Sequence, residues 1–249
     1  MALEHLKIAW KAFKKNWKPL VGGSLILFTL LMVFIILGLA AIMVPIIAYS
    51  EGMDMSAESM LGLFLLGFVI IAVGMFLYSI LHGGYIQMCF NSLKGTTKVK
   101  DMFDTAKSRW KSIIGVNIFV FLLAILIFSP SIVMMIYAMI ANDVMYLLLG
   151  LIVMLLSFFV MILFNFSVIS VIIDKAKAWQ GVKNSFNFMK SNYFQALYLM
   201  FVLALVILPI SVIFAFVPLG SLIIDLVLIP FAMMVYISYY ISKTKKRRK

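Results

Sequence analysis

The chain has 249 residues, of which 65% are hydrophobic and only 12% charged, with a mean hydropathy of +1.15. Soluble domains hold roughly 45–50% apolar and about 25% charged residues, so this composition excludes a soluble globule. The apolar runs are long and do not alternate, which also excludes a membrane β-barrel. The net charge of +12 then reads as basic loops facing anionic lipid rather than as a nucleic-acid footprint.

The first element is residues 2–18. Leu3, Leu6, Trp10, Phe13 and Trp17 recur at helical spacing, with Lys7, Lys11, Lys14, Lys15 and Lys18 around them. Aromatic residues on one face and lysines on the other mark a helix lying in a membrane interface. Pro19 lacks a backbone donor and is expected to break the chain before the first span. The apolar run that follows is too long for the hydrophobic region of a cleaved signal peptide.

Span one is expected over 20–49, followed by a loop carrying Glu51, Asp54 and Glu58 and no base. Span two, 60–90, exceeds the roughly 20 residues that a bilayer requires. A break is expected in it at His82, Gly83 and Gly84. Residues 91–111 are polar again, and Val99, Phe103, Ala106 and Trp110 give a second, shorter amphipathic helix. Span three covers 112–140, Asn142-Asp143 forms a tight turn, and span four covers 144–173.

The polar stretch 174–195 places Val182, Phe186, Met189 and Tyr193 on a third amphipathic face. Span five covers 194–217, residues 218–221 turn the chain, and span six covers 222–242. A basic tail ends the sequence. All 21 lysines and arginines fall in residues 1–18, 91–111, 174–193 and 243–249. With six spans these segments share one side, and the positive-inside rule makes that side cytoplasmic, with both termini there.

The strings KKNWKPL (14–20), KSRWKSI (107–113) and KSNYFQA (190–196) align, and Trp10, Phe103 and Phe186 stand seven residues before each aromatic. The expected architecture is all-α: a single membrane domain of six helices with three cytoplasmic interfacial helices. It reads as a threefold repeat with units at about 2–93, 94–173 and 174–242. The lipid-interface residues are Trp10, Trp17, Lys18, Trp110, Lys111, Lys183, Lys190 and Tyr193. Their expected partners are membrane lipids with anionic headgroups.

Residues 166–201, FSVISVIIDKAKAWQGVKNSFNFMKSNYFQALYLMF, resemble a phrase of six-span bacterial and archaeal membrane families. These families are related to the membrane domain of some glycerophosphoryl diester phosphodiesterases. Asp174, Ser185, Lys190 and Asn192 match that phrase, while Gly181 or Val182 stands where an Ala is usual. Residues 84–110 resemble their second-span exit through Gly84, Gly95 and Asp101. The resemblance implies a fold and a cell-membrane address in a bacterium or archaeon. It implies no phosphodiesterase activity.

Polar residues inside spans are functional candidates by default. Asn117, Asn165, Asp225, His82 and Gln87 fill that role, with interhelical hydrogen bonding as the alternative for the two asparagines and outer water for Asp225. His5 and His82 are the only histidines and lie far apart, and Cys89 is the only cysteine. No metal, cofactor or catalytic residue is expected. The leading function is a non-enzymatic membrane protein that engages lipid, organising the bilayer or moving an amphiphile. A small-solute transporter or channel is the first alternative and an intramembrane lipid-headgroup enzyme the second. No two glycines stand four apart to mark a helix-pairing face, so oligomeric state is open.

Overall fold

The computed structural model describes residues 2–52, 56–215 and 220–247, and among these there are seven α-helices. They are α1 (Ala2–Ser50), α2 (Ala57–Lys94), α3 (Val99–Ala141), α4 (Val144–Met161), α5 (Ser167–Ile173), α6 (Ala178–Ala215) and α7 (Gly220–Arg247). Among the described residues there is no strand. Asp54 and Pro218 of the expected loops, and the side chain of Asp225, lie outside the described residues.

Among the described residues six helical stretches are long and apolar enough to cross a membrane, as expected, with α4 and α5 counting together as one. The most apolar window of the last span is 44% buried, against 6–11% for the other five. Span six is therefore the most enclosed, and the others present apolar side chains outward. Such extensive apolar exposure is stable in lipid and not in water.

The structure differs from the expected segmentation in two ways. The polar segments ahead of spans one and five meet their spans at kinks inside α1 and α6, whereas the segment ahead of span three runs into it without such a break as α3. The expected break at His82–Gly84 is also absent, because α2 runs unbroken through it. Gly84 instead permits a close crossing, where a Cβ would stand 2.1 Å from the carbonyl oxygen of Met102.

The chain divides into two compact units. One comprises Ala9–Ser108 and Ser211–Met234. In it α1 and α2 run antiparallel and touch through glycines. A Cβ on Gly38 would lie 2.8 Å from the Gly67 carbonyl oxygen, and one on Gly67 would lie 2.6 Å from that of Gly38. Phe34 fills the space beside Gly74, and Tyr85 lies against Gly23. Small residues let backbones approach, which drives helix association where lipid offers no hydrophobic gain. The Tyr85 hydroxyl closes this seam, donating to the Leu20 carbonyl at 3.1 Å and lying 2.8 Å from Ser24 Oγ.

The other unit comprises Met1–Ile8, Arg109–Ile210 and Val235–Lys249. Here Asn142 takes a left-handed conformation (φ 52°), which Asn tolerates, and the Asp143 side chain accepts the Met145 amide at 2.8 Å to start α4. That forms the expected turn. Ser157 of α4 donates to the Ile127 carbonyl of α3 at 3.0 Å. Between α4 and α5 the fourth span breaks into a short 3-10 turn (Ile162–Phe164). Phe166, Phe188, Tyr239 and Tyr240 gather behind this break, with ring centroids 4.8–6.3 Å apart.

Candidate lipid-interface site

The first segment of α1 has two stripes. Ala2, His5, Ala9, Phe13, Asn16 and Leu20 are buried, at spacings of three and four. Trp10 and Trp17 are 48% and 51% exposed, and the lysines between them are exposed. The expected apolar face is therefore the outward one for Trp10, Trp17 and Leu3, and Phe13 belongs to the buried stripe. Cations sit against the exposed aromatics: Lys14 lies 5.1 Å from the Trp10 ring centre and Lys18 lies 5.9 Å from that of Trp17.

The start of α3 repeats the arrangement. Met102 and Ala106 are buried, Phe103 and Trp110 are exposed, and Lys111 lies 5.5 Å from the Trp110 ring. In α6, Val182, Ser185, Phe188 and Met189 face inward, while Trp179, Phe186, Lys183 and Lys190 are exposed. Tyr193 departs from this pattern. It is half-buried and its hydroxyl donates to the Phe159 carbonyl at 2.9 Å.

The joint between polar segment and span lies at an asparagine in two of the three helices. Asn16 (φ −121°, ψ 22°) and Asn192 (φ −131°, ψ 16°) leave helical geometry. Each occupies the position before an aromatic, Trp17 or Tyr193. Each side-chain amide donates to the carbonyl four residues back, to Ala12 at 3.2 Å and to Phe188 at 2.8 Å. The kink frees those carbonyls and the side chain satisfies them locally. Asn16 also donates to the Gly95 carbonyl at 3.0 Å and accepts the Thr97 amide at 3.3 Å. The break expected at Pro19 thus falls three residues earlier. In α3 the position belongs to Arg109, the helix has no such break, and the guanidinium donates to the Val171 carbonyl at 3.4 Å.

Polar clusters hold the second and third segments to the span before each. Gln87 donates to the Asn91 side-chain oxygen at 2.7 Å, and Asn91 donates to the Asp101 carboxylate at 3.1 Å. That carboxylate also accepts Thr97 Oγ1 at 3.0 Å and the Lys98 amide at 3.1 Å, which caps α3. Burial by itself would raise the Asp101 pKa. The hydrogen bonds from Asn91, the Lys98 amide and Thr97, with the Lys98 charge, outweigh it and hold the carboxyl below its usual range.

Positions 91 and 101 correspond to 174 and 184, 83 residues on, where Asp and Asn have changed places. Asn184 donates to Ser170 Oγ at 3.0 Å, and Ser170 donates to the Asp174 carboxylate at 3.1 Å. The Tyr240 hydroxyl also donates to Asp174. In the same unit, His5 Nδ1 and Ser238 Oγ lie 2.9 Å apart, and Tyr239 meets the His5 ring edge-on at 5.6 Å.

The remaining candidates are dispersed. His82 is half-buried and stacks on Tyr78 at 5.8 Å, and Gln87 belongs to the Asn91 cluster. Asn117 is half-buried with its polar groups engaged. Asn165 is not inside an unbroken span as expected. It is exposed, on the turn that interrupts span four. Among the described residues no three His, Cys, Asp or Glu side chains come together to hold a metal ion.

Sequence reading singled out Ser185 only as part of the family phrase and missed Tyr240. One usable signal was the match of VKDMFDTAKSRW (99–110) with VKNSFNFMKSNY (182–193), which pairs Asp101 with Asn184 and Met102 with Ser185.

A cavity of about 350 Å³ opens between the start of α1, the start of span five and the end of α7. Its walls are Ala2, Phe194, Tyr198, Leu199 and Tyr239, with His5 and Gln195 as further polar members. Lys243 reaches across and donates to Gln195 Oε1 at 2.5 Å. No family model matches the chain, and no curated protein and no solved structure is similar to it.

Proposed function

We propose that this is a non-enzymatic integral membrane protein that engages lipid, with three basic segments at the cytoplasmic surface binding anionic headgroups. The observation that carries the reading is the recurrence of an exposed lysine against an exposed tryptophan at Trp10, Trp17 and Trp110. Tryptophan favours the headgroup level, and each nearby base adds about 1 kcal/mol of attraction to an anionic surface. The reading includes a threefold repeat of basic segment plus two spans. The matching kinks at Asn16 and Asn192 and the exchanged Asn91/Asp101 and Asp174/Asn184 pairs support it. It also includes both termini in the cytoplasm, a bacterial or archaeal cell-membrane address, and kinship with the six-span families named above. No observation favours a transporter, channel or enzyme over it.

The test is reconstitution into vesicles of phosphatidylcholine with phosphatidylglycerol, measuring enrichment of the anionic lipid around the protein. Lys183→Glu with Lys190→Glu lowers that enrichment at least severalfold at low salt. Undiminished enrichment in the double variant would sink the interfacial mechanism, and solute flux through the vesicles would favour the transporter instead.

A further inference from the structure

The cavity beside Lys243 has the features of a lipid subsite. Its volume of about 350 Å³ lies within the ~300–1,000 Å³ range of small-molecule pockets. Its wall is made largely of apolar and aromatic side chains, with no carboxylate among them. Phe194 and Tyr198 are 83% and 61% exposed, so the mouth opens on an apolar surface that in a bilayer meets lipid rather than water. Three of the polar wall groups are engaged: His5 Nδ1 with Ser238, Gln195 Oε1 with Lys243, and the Tyr239 hydroxyl with the Asn192 carbonyl.

At the rim the chemistry changes. The Lys243 ammonium stands 6.0 Å from the Tyr239 ring centre and donates to Gln195. An ammonium has three donors, and a neutral amide oxygen uses one. An apolar slot ending at a lysine matches an acyl chain ending at a phosphodiester. Phosphate accepts charge-assisted hydrogen bonds, and lysine binds it as a point charge. We propose that this pocket takes one acyl chain of an anionic glycerophospholipid, with Lys243 holding the lipid phosphate. The assignment rests on the reading that these segments lie at an anionic lipid surface.

The full chain is stripped of lipid in detergent and reconstituted with phosphatidylglycerol bearing a diazirine in its acyl chain. After irradiation, labelled peptides are mapped by mass spectrometry. Labelling is expected to concentrate on residues 194–199 and 235–243, and to be competed by unlabelled phosphatidylglycerol but not by diacylglycerol. Gln195→Trp, at an exposed position that fills the mouth, reduces that labelling at least fivefold while the melting temperature holds. Lys243→Gln abolishes the advantage of phosphatidylglycerol over diacylglycerol as competitor.

Labelling there no stronger than on outward residues such as Ile36 and Leu65, or unchanged in Gln195→Trp, overturns the subsite. Equal competition by diacylglycerol overturns the role of Lys243. If the pocket stays unlabelled while anionic lipid is still enriched around the protein, the subsite alone fails. If enrichment is also absent, the broader reading fails with it.

Discussion

The hydroxyl of Ser185 occupies the place of a backbone group in the fourth span. It accepts the Phe166 amide at 3.1 Å and donates to the Leu163 carbonyl at 2.8 Å. In a continuous helix the Phe166 amide would bond to the carbonyl four residues back. A side chain inserted into that ladder is a recognised cause of a helix break. It ties the break in span four to the polar segment that follows it.

Ser185→Ala removes both bonds. Leaving a buried amide or carbonyl unsatisfied costs about 1–3 kcal/mol, so unfolding in detergent should occur at correspondingly lower denaturant. Unchanged stability would mean that the span re-closes its own ladder and that Ser185 does not cause the break.

The mutual contact of Gly38 and Gly67 predicts a steep size dependence. Gly38→Leu would drive a side chain into Ile71 and the Gly67 carbonyl. Overpacking of this kind costs about 1–3 kcal/mol or more. Gly62, whose added Cβ would meet nothing within 4 Å, is the matched control, and Gly62→Leu should be near neutral. Equal melting temperatures for the two variants would count against the glycine seam.

Asp101 predicts an acid limb of stability. Its carboxyl is held below the usual value of 3.8, so the folded chain binds fewer protons than the unfolded chain as pH falls. Its contribution is complete above that usual value and is lost as pH drops through the lowered one. Asp101→Asn should flatten this limb, measured as melting temperature against pH in detergent. Asp101→Ala should cost about 1.5–3 kcal/mol at neutral pH, as expected for hydrogen bonds to a charged group. An unaltered pH profile in Asp101→Asn would refute the assignment.

Composition and the placement of bases made the six spans legible, because an apolar run of sufficient length has few stable alternatives to a membrane helix. The outward tryptophans were legible for the same reason. The joints were less so. Pro19 drew the expected break to itself, yet the distortion sits at Asn16 and recurs at Asn192, which has no proline three residues on. A side chain able to satisfy freed carbonyls matters there more than a missing donor. His82–Gly84 read as a break because glycine weakens a helix. In the fold Gly84 gives room for the Met102 backbone, which no local pattern encodes.

Local sequence determined what short-range physics controls: the class, the number of spans and the turn at Asn142–Asp143. Tertiary structure alone decided which small and polar residues meet. Gly38 finds Gly67, Ser185 enters another helix's ladder, Asn91 reaches Asp101, and Lys243 closes over the cavity beside Phe194. These are contacts between groups distant in sequence whose value depends on angstrom-scale approach. Hydropathy and periodicity measure only the preference of each segment for lipid or water.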